Sequence, residues 1–101
     1  MYKTIILPFA SEDIREAARW YNSRQEGLGK GFITEVREKV HFIRQSPKAS
    51  TVRYDGVRTA VLNVFPFMVH FIVDEKNKTI IITGILHTSR DPKLWKERTE
   101  L

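Results

Sequence analysis

The hydrophobic positions of this chain change period along its length, and the changes divide it into elements. Residues 2–7, Tyr2-Lys3-Thr4-Ile5-Ile6-Leu7, read as a short strand stopped at Pro8. Apolar residues then recur at Ile14, Ala17, Ala18 and Tyr21, the i, i+3, i+4, i+7 spacing of one helix face. Ser11 is the expected N-cap, with Glu12 and Asp13 in a first turn where the helix dipole favours acids. The glycines of Gly27-Leu28-Gly29-Lys30-Gly31 end that helix in a tight connection. A second helix carries Phe32, Val36, Val40 and Ile43 on one stripe, with Ile33 alongside, and stops at Ser46-Pro47. β-Branched and aromatic runs follow over residues 57–64, 67–73 and 80–86, separated by Phe65-Pro66 and by the polar turn Asp74-Glu75-Lys76-Asn77-Lys78. Strands joined by such short links form an antiparallel meander.

The pattern therefore predicts an α+β fold in the order β-α-α-β-β-β, closed by a short helix or turn after Pro92. The helical hairpin packs on one face of an antiparallel sheet, because its apolar stripes need a sheet to cover them. Residues 1–101 make a single domain, a length that buries roughly two-thirds of its unfolded surface. No apolar run approaches the ~18 residues of a membrane span, and no secretion signal is evident at Met1-Tyr2-Lys3-Thr4. With no cysteine in the chain, disulfides and thiolate metal sites play no part. The expectation is a soluble cytoplasmic protein without membrane attachment.

Charge adds less than its size suggests. The net charge is +5, which fits nucleic acid, an acidic protein partner or simple solubility. Arg15, Arg19, Arg37, Lys39 and Arg44 lie on helices among Glu12, Asp13, Glu16, Glu35 and Glu38, the signature of a salt-bridged solvent face. Lys48, Arg53 and Arg58 in the connecting region, and Arg90, Lys93, Lys96 and Arg98 in the tail, have fewer acidic neighbours. A functional basic surface is expected there.

The stretch richest in candidate chemistry is the end of the last strand. The apolar Ile80-Ile81-Ile82-Thr83-Gly84-Ile85-Leu86 passes straight into His87-Thr88-Ser89-Arg90-Asp91-Pro92. Residues just past a strand end meet ligands without breaking the core. An imidazole beside a permanent cation suits phosphate chemistry or anion recognition, although the same positions also read as a solvated turn. The three histidines and the acids show no metal-ligand spacing, so no metal or other cofactor is expected.

The segments Trp20-Tyr21, Gly27-Leu28-Gly29-Lys30-Gly31-Phe32, Val57-Arg58, Phe65-Pro66-Phe67 and Leu86-His87-Thr88-Ser89-Arg90-Asp91-Pro92 occur in an order and spacing that resembles the RelE/ParE superfamily of toxins from bacterial toxin–antitoxin pairs. The resemblance covers nearly the whole chain and implies the same element order. It also implies two very different targets, since RelE-like members cut messenger RNA in the ribosome and ParE-like members poison DNA gyrase. If the chain is an enzyme, the resemblance implies a metal-independent endoribonuclease. Such a cut needs a base for the 2′-hydroxyl, a cation for the phosphorane charge and an acid for the leaving oxygen. On this reading His87 is the acid or base, Arg58 and Arg90 stabilise charge, and Lys48, Arg53 and Lys93 contact nucleic acid or another target.

One departure weighs against RNA cutting. RNA-cutting members carry a key arginine early on the strand after the aromatic hairpin, and here that place falls on Met68, which cannot hold a phosphate. His70, a candidate substitute, shares a face with Met68 and Ile72 by strand alternation and reads as a packed residue. The resemblance further implies a cognate antitoxin whose flexible segment folds on the toxin. Phe67, Met68 and Trp95 are its expected contacts, with Trp20 and Phe71 beside them. Trp95, in a charged tail, reads as the least core-like of these. The expectation is a toxin with a lean towards gyrase. RNA cutting, and a non-toxic nucleic-acid-binding or interaction module, remain open beside it.

Overall fold

Pro8 does more than stop the first strand, because it also starts the first helix. Proline lacks the N–H that a helix start leaves unbonded, and its fixed φ suits the first helical position. In the computed structural model, which describes residues 1–97, strand β1 (Lys3–Ile6) passes through Leu7 directly into helix α1 (Pro8–Arg24). Ser11 is thus inside the first turn and not at the cap, its N–H donating to Leu7 O at 3.0 Å. Helix α2 (Leu28–Gln45) follows after a single tight turn in which Gly27 has φ 87°, the left-handed region glycine enters at no steric cost. Gly29 and Gly31, expected in the connection, belong to α2 itself.

Gly29 has a packing reason. A Cβ there would lie 2.2 Å from Ala18 O and 2.7 Å from the Asn22 amide. The Gly29 N–H instead donates to Asn22 Oδ1 at 2.8 Å, which locks the start of α2 onto the end of α1. Ala10, Ala17 and Ala18 are the buried positions of α1, so small residues let the two helices approach.

A 3-10 turn (Pro47–Ala49) leads into β2 (Val52–Tyr54), β3 (Val57–Val61), β4 (Phe67–Asp74), β5 (Thr79–His87) and a short helix α3 (Pro92–Glu97). The sheet has five strands in the order β1-β5-β4-β3-β2. The expected α+β layers are present, with two differences. The sheet is mixed, because the helical hairpin returns the chain so that β1 pairs parallel to β5, Lys3 opposite Thr79 to Ile6 opposite Ile82. It also contains β2, taken from sequence as a loop. The signal for β2 was Asp55-Gly56, whose positive φ values (41° and 77°) make a two-residue hairpin turn.

The main core lies between the hairpin and the sheet. Phe32, Val36 and Ile43 of α2 meet Ala60, Val69, Phe71, Ile80, Ile82 and Ile85. An aromatic group closes its end, with Tyr21 against Phe65 at 4.7 Å and Phe32 against Phe67 at 5.0 Å. The opposite sheet face carries a smaller cluster of Met68, Leu86 and Trp95, with Tyr54 against it. This corrects the expectation for two contact candidates, since Met68 is 3% and Trp95 8% exposed. The six-residue α3 folds back and uses Trp95 to cover a face that would otherwise be wet. Of the tail cations, Arg98 lies outside the described residues, as does the side chain of Lys96.

Thr83 of β5 decides which residues reach which face. His70 pairs with Gly84 and Phe71 with Ile82, so the register shifts at Thr83. Its hydroxyl donates to His70 O at 3.3 Å. Such a bulge shifts side-chain parity. Ile80 and Ile82 face the helices before it and Ile85 after it, which leaves Leu86 on the Trp95 side.

Three substitutions test this packing. Gly29→Ala is expected to destabilise the protein by about 1–3 kcal/mol, the usual overpacking range. Gly31→Ala meets only the Phe65 ring at 4.0 Å and should be neutral or stabilising by up to about 1 kcal/mol through helix propensity. Trp95→Ala is expected to cost about 3 kcal/mol as a large-to-small change in a buried cluster. Urea unfolding of the three variants checks all of these.

Candidate functional site

β5 outlasts its neighbour β1, and a site is built where it does so. Beyond Ile82 the outer edge of β5 has no strand beside it, and Asp13 of α1 fills part of that gap by accepting the Ile85 N–H at 3.0 Å. The acid read as a dipole complement therefore acts as a substitute for strand pairing. On the inner side, the loop after β5 is tied to the β3–β4 connection by Thr88 N–H donating to Pro66 O at 2.9 Å. His87 pairs with Phe67 across the ladder, their rings 5.3 Å apart.

These contacts enclose a cleft of about 460 Å³ lined by Ala17, Trp20, Tyr21, Pro66, Phe67, His87 and Arg90. A second hollow of about 260 Å³ adjoins it, shares Ala17, Trp20, Phe67 and Arg90, and adds Asp13, Glu16 and Ile85. Trp20 is the residue whose weight sequence reading underestimated. It falls outside the Ile14-Ala17-Ala18-Tyr21 stripe and is 53% exposed. Tyr21 holds its ring edge-on at 5.1 Å, and the Arg24 guanidinium lies 4.6 Å from its centroid. That out-of-phase position was the available signal. Burial in this wall pushes the Tyr21 phenol above its ordinary pKa.

The polar end of the cleft is made of donors. His87 Nδ1 accepts the Ser89 N–H at 3.1 Å and lies 2.7 Å from Ser89 Oγ. A backbone N–H only donates, so Nδ1 carries the lone pair and the ring proton sits on Nε2. The loop is closed further by Arg90 N–H donating to His87 O at 3.0 Å. The Arg90 side chain is exposed and forms no ion pair among the described residues.

Of His87, Arg58 and Arg90, expected to act together, only His87 and Arg90 line the cleft, and the antitoxin-contact candidate Phe67 lies with them. Arg58 pairs with Phe71 on β4, whereas His87 pairs with Phe67, four positions further along. At ordinary strand rise and spacing, and on opposite flanks of β4, their Cα atoms are about 16 Å apart. Arg58 donates instead to Ser50 O and fastens the segment before β2. Lys48 is at the far end of the sheet, paired with Glu75 at 3.5 Å. Arg53 lies on the Trp95 face, its guanidinium 5.7 Å from that ring and 3.4 Å from Thr59 Oγ1. Lys93 is exposed at the start of α3. His70 is 1% exposed and bonded through Nδ1 to Tyr54 OH at 2.9 Å, the packed role expected of it.

Glu75 collects Tyr2 OH at 2.9 Å together with Lys48 and Lys78. The hydrogen bond from Tyr2, then the two ammonium groups, hold its pKa below the ordinary carboxylate value. A depressed carboxylate adds stability above its unfolded pKa of about 4.3 and loses it as pH falls through the folded value. Glu75→Gln should therefore flatten the loss of stability between about pH 5 and pH 3. Thermal unfolding followed across that range measures it.

The family model of the ParE toxin of the type II toxin-antitoxin system, parDE, matches residues 5–92. Among solved structures, the chromosomal ParDE system from P. aeruginosa superposes with a TM-score of 0.75 at 22% identity, covering 86% of this chain and 96% of that one. A mutant of the E. coli toxin RelE in the free state gives 0.74 at 13% identity, covering 98% and 95%. The intact E. coli RelBE complex gives 0.69 at 14% identity, covering 89% and 100%. At these identities the structural likenesses establish the fold. No curated protein matches by sequence.

Proposed function

The chain belongs to the ParE toxin family of type II toxin–antitoxin systems, and from that premise we propose that it arrests growth by acting on DNA gyrase and not by cutting messenger RNA. It is a toxin, and the partner of such a toxin is a cognate antitoxin that neutralises it. The site of action is the cytoplasm, where gyrase works.

One observation carries the choice of target. Cleavage by 2′-hydroxyl attack needs acid, base and charge-stabilising cation around a single phosphate. Arg58 and His87 are about 16 Å apart by strand geometry, and Arg58 is held on Ser50 O. Met68 supports the same reading, because the position that carries an arginine in RNA-cutting members is closed beneath Trp95. A protein-directed toxin needs surface complementarity and not a convergent catalytic set, and that requirement is compatible with the scattered cations of this chain. Among Phe67, Met68 and Trp95, only Phe67 offers surface for an antitoxin, since the other two are buried.

Expressed alone from a tightly repressed promoter, the chain is expected to stop growth, leave messages intact by primer extension and inhibit gyrase supercoiling in vitro. His87→Ala should retain the supercoiling effect. Ribosome-dependent cuts that vanish in His87→Ala would sink the proposal in favour of the nuclease. Normal growth with neither effect would point to a non-toxic interaction module.

A further inference from the structure

The aromatic cleft beside His87 has an arrangement that none of the functions above uses. Its walls are Trp20, Tyr21, Pro66 and Phe67, with more than half of Trp20 left open to solvent. Arg90 and His87 also line it, the guanidinium a donor and the imidazole a donor through Nε2. The exposed Glu16 carboxylate, an acceptor, lines the adjoining hollow, which shares Trp20, Phe67 and Arg90 with the cleft. Glu16 and Arg90 line the same hollow, yet neither forms an ion pair among the described residues. The aromatic-walled cleft and the hollow beside it thus carry a cation and an anion that form no ion pair among the described residues.

We propose that this cleft binds a purine nucleotide unit, with guanine preferred. The base lies against Trp20, its amino edge donates to Glu16, and its phosphate accepts from Arg90 and His87 Nε2–H. The pairing of parts is chemical. Stacking on an aromatic face suits any base. A guanine offers adjacent N–H donors that match a carboxylate, while uracil offers only one. Phosphate matches a guanidinium and an N–H donor. A volume of about 460 Å³ is in the range of small-ligand sites. The same features disfavour an acidic peptide, which would have to run over Asp13 and Glu16 to fill both hollows. The proposal stands apart from the choice of growth-arrest target, because it concerns this cleft alone.

The chain has two tryptophans, and only Trp20 is open to solvent, so quenching of tryptophan fluorescence reports this site while Trp95 remains buried. The probes are GMP, UMP, guanosine and a short single-stranded oligonucleotide with one guanine in a thymine run. GMP is expected to quench with a Kd below about 1 mM, an ordinary affinity for a small exposed site. UMP and guanosine should each bind about tenfold more weakly, since they lack the second base donor and the phosphate respectively.

Trp20 and Arg90 are exposed, so replacing them leaves the fold intact, which near-UV circular dichroism from Trp95 verifies. Arg90→Gln should weaken GMP by about tenfold, the effect of losing a charge-assisted hydrogen bond. Trp20→Ala, followed by calorimetry, should weaken it by about fivefold or more through lost stacking. Glu16→Gln should remove the preference for GMP over UMP. Tighter binding of the oligonucleotide than of GMP would identify an unpaired base in a strand as the source, and equal or weaker binding a free nucleotide; both support the site. The proposal is overturned if neither GMP nor the oligonucleotide quenches, or if affinity is unchanged in Arg90→Gln and Trp20→Ala. It is equally overturned if a short acidic peptide ending in phenylalanine binds and GMP does not, which would give the cleft to a protein partner.

Discussion

β5 is hydrogen-bonded on both sides over its first half and on one side over its second. A strand edge left open against a helix buries an N–H without a partner, at a cost of about 1–3 kcal/mol. Asp13 meets that constraint by accepting the Ile85 N–H, which also fixes how α1 lies across the sheet. The bulge at Thr83, two residues earlier, turns the remaining positions over. Strict alternation from Ile80 would send Leu86 to the helices and His87 to the other face. With the bulge, Leu86 joins Met68 under Trp95, and His87 pairs beside Phe67 in the cleft against α1. Both clusters, and the cleft between α1 and the strand ends, depend on this one irregularity and the carboxylate beside it.

The positive charge of the chain is distributed by the same logic. Several cations are committed to holding segments together: Arg58 on Ser50 O, Arg44 on Tyr2 O, and Lys48 and Lys78 on Glu75. Arg15 and Arg19 share Glu12 on the solvent face of α1, as charge patterning indicated. Exposed pairs like these add little stability individually. What they do is tie these cations to the chain's own segments. Arg90 forms no ion pair among the described residues and lines the aromatic cleft.

Membership of a type II toxin family fixes the fold without fixing the chemistry, because one fold hosts many sites. The sheet and hairpin are stabilised by buried aliphatic and aromatic residues that say nothing about a target. The target-facing chemistry sits on strand ends and connections, where a few side chains change role without disturbing the core.

Local periodicity, proline and glycine were enough to establish the α+β order, the helical hairpin and the strands of the main core. Those features rest on near-neighbour sterics and on apolar faces that any fold must cover. The resemblance carried by short segments at the right spacing added the toxin family. Sequence did not reveal the parallel pairing of β1 with β5, because pairing partners are chosen by how the hairpin returns the chain. It did not place Trp95 in a second cluster, since a lone aromatic in a charged tail is buried only when a helix folds back. Above all, the roles implied by the resemblance grouped Arg58 with His87, while the sheet holds them apart. Distance across a sheet depends on register and bulges, which are settled by long-range hydrogen bonding and have no local signature in the chain.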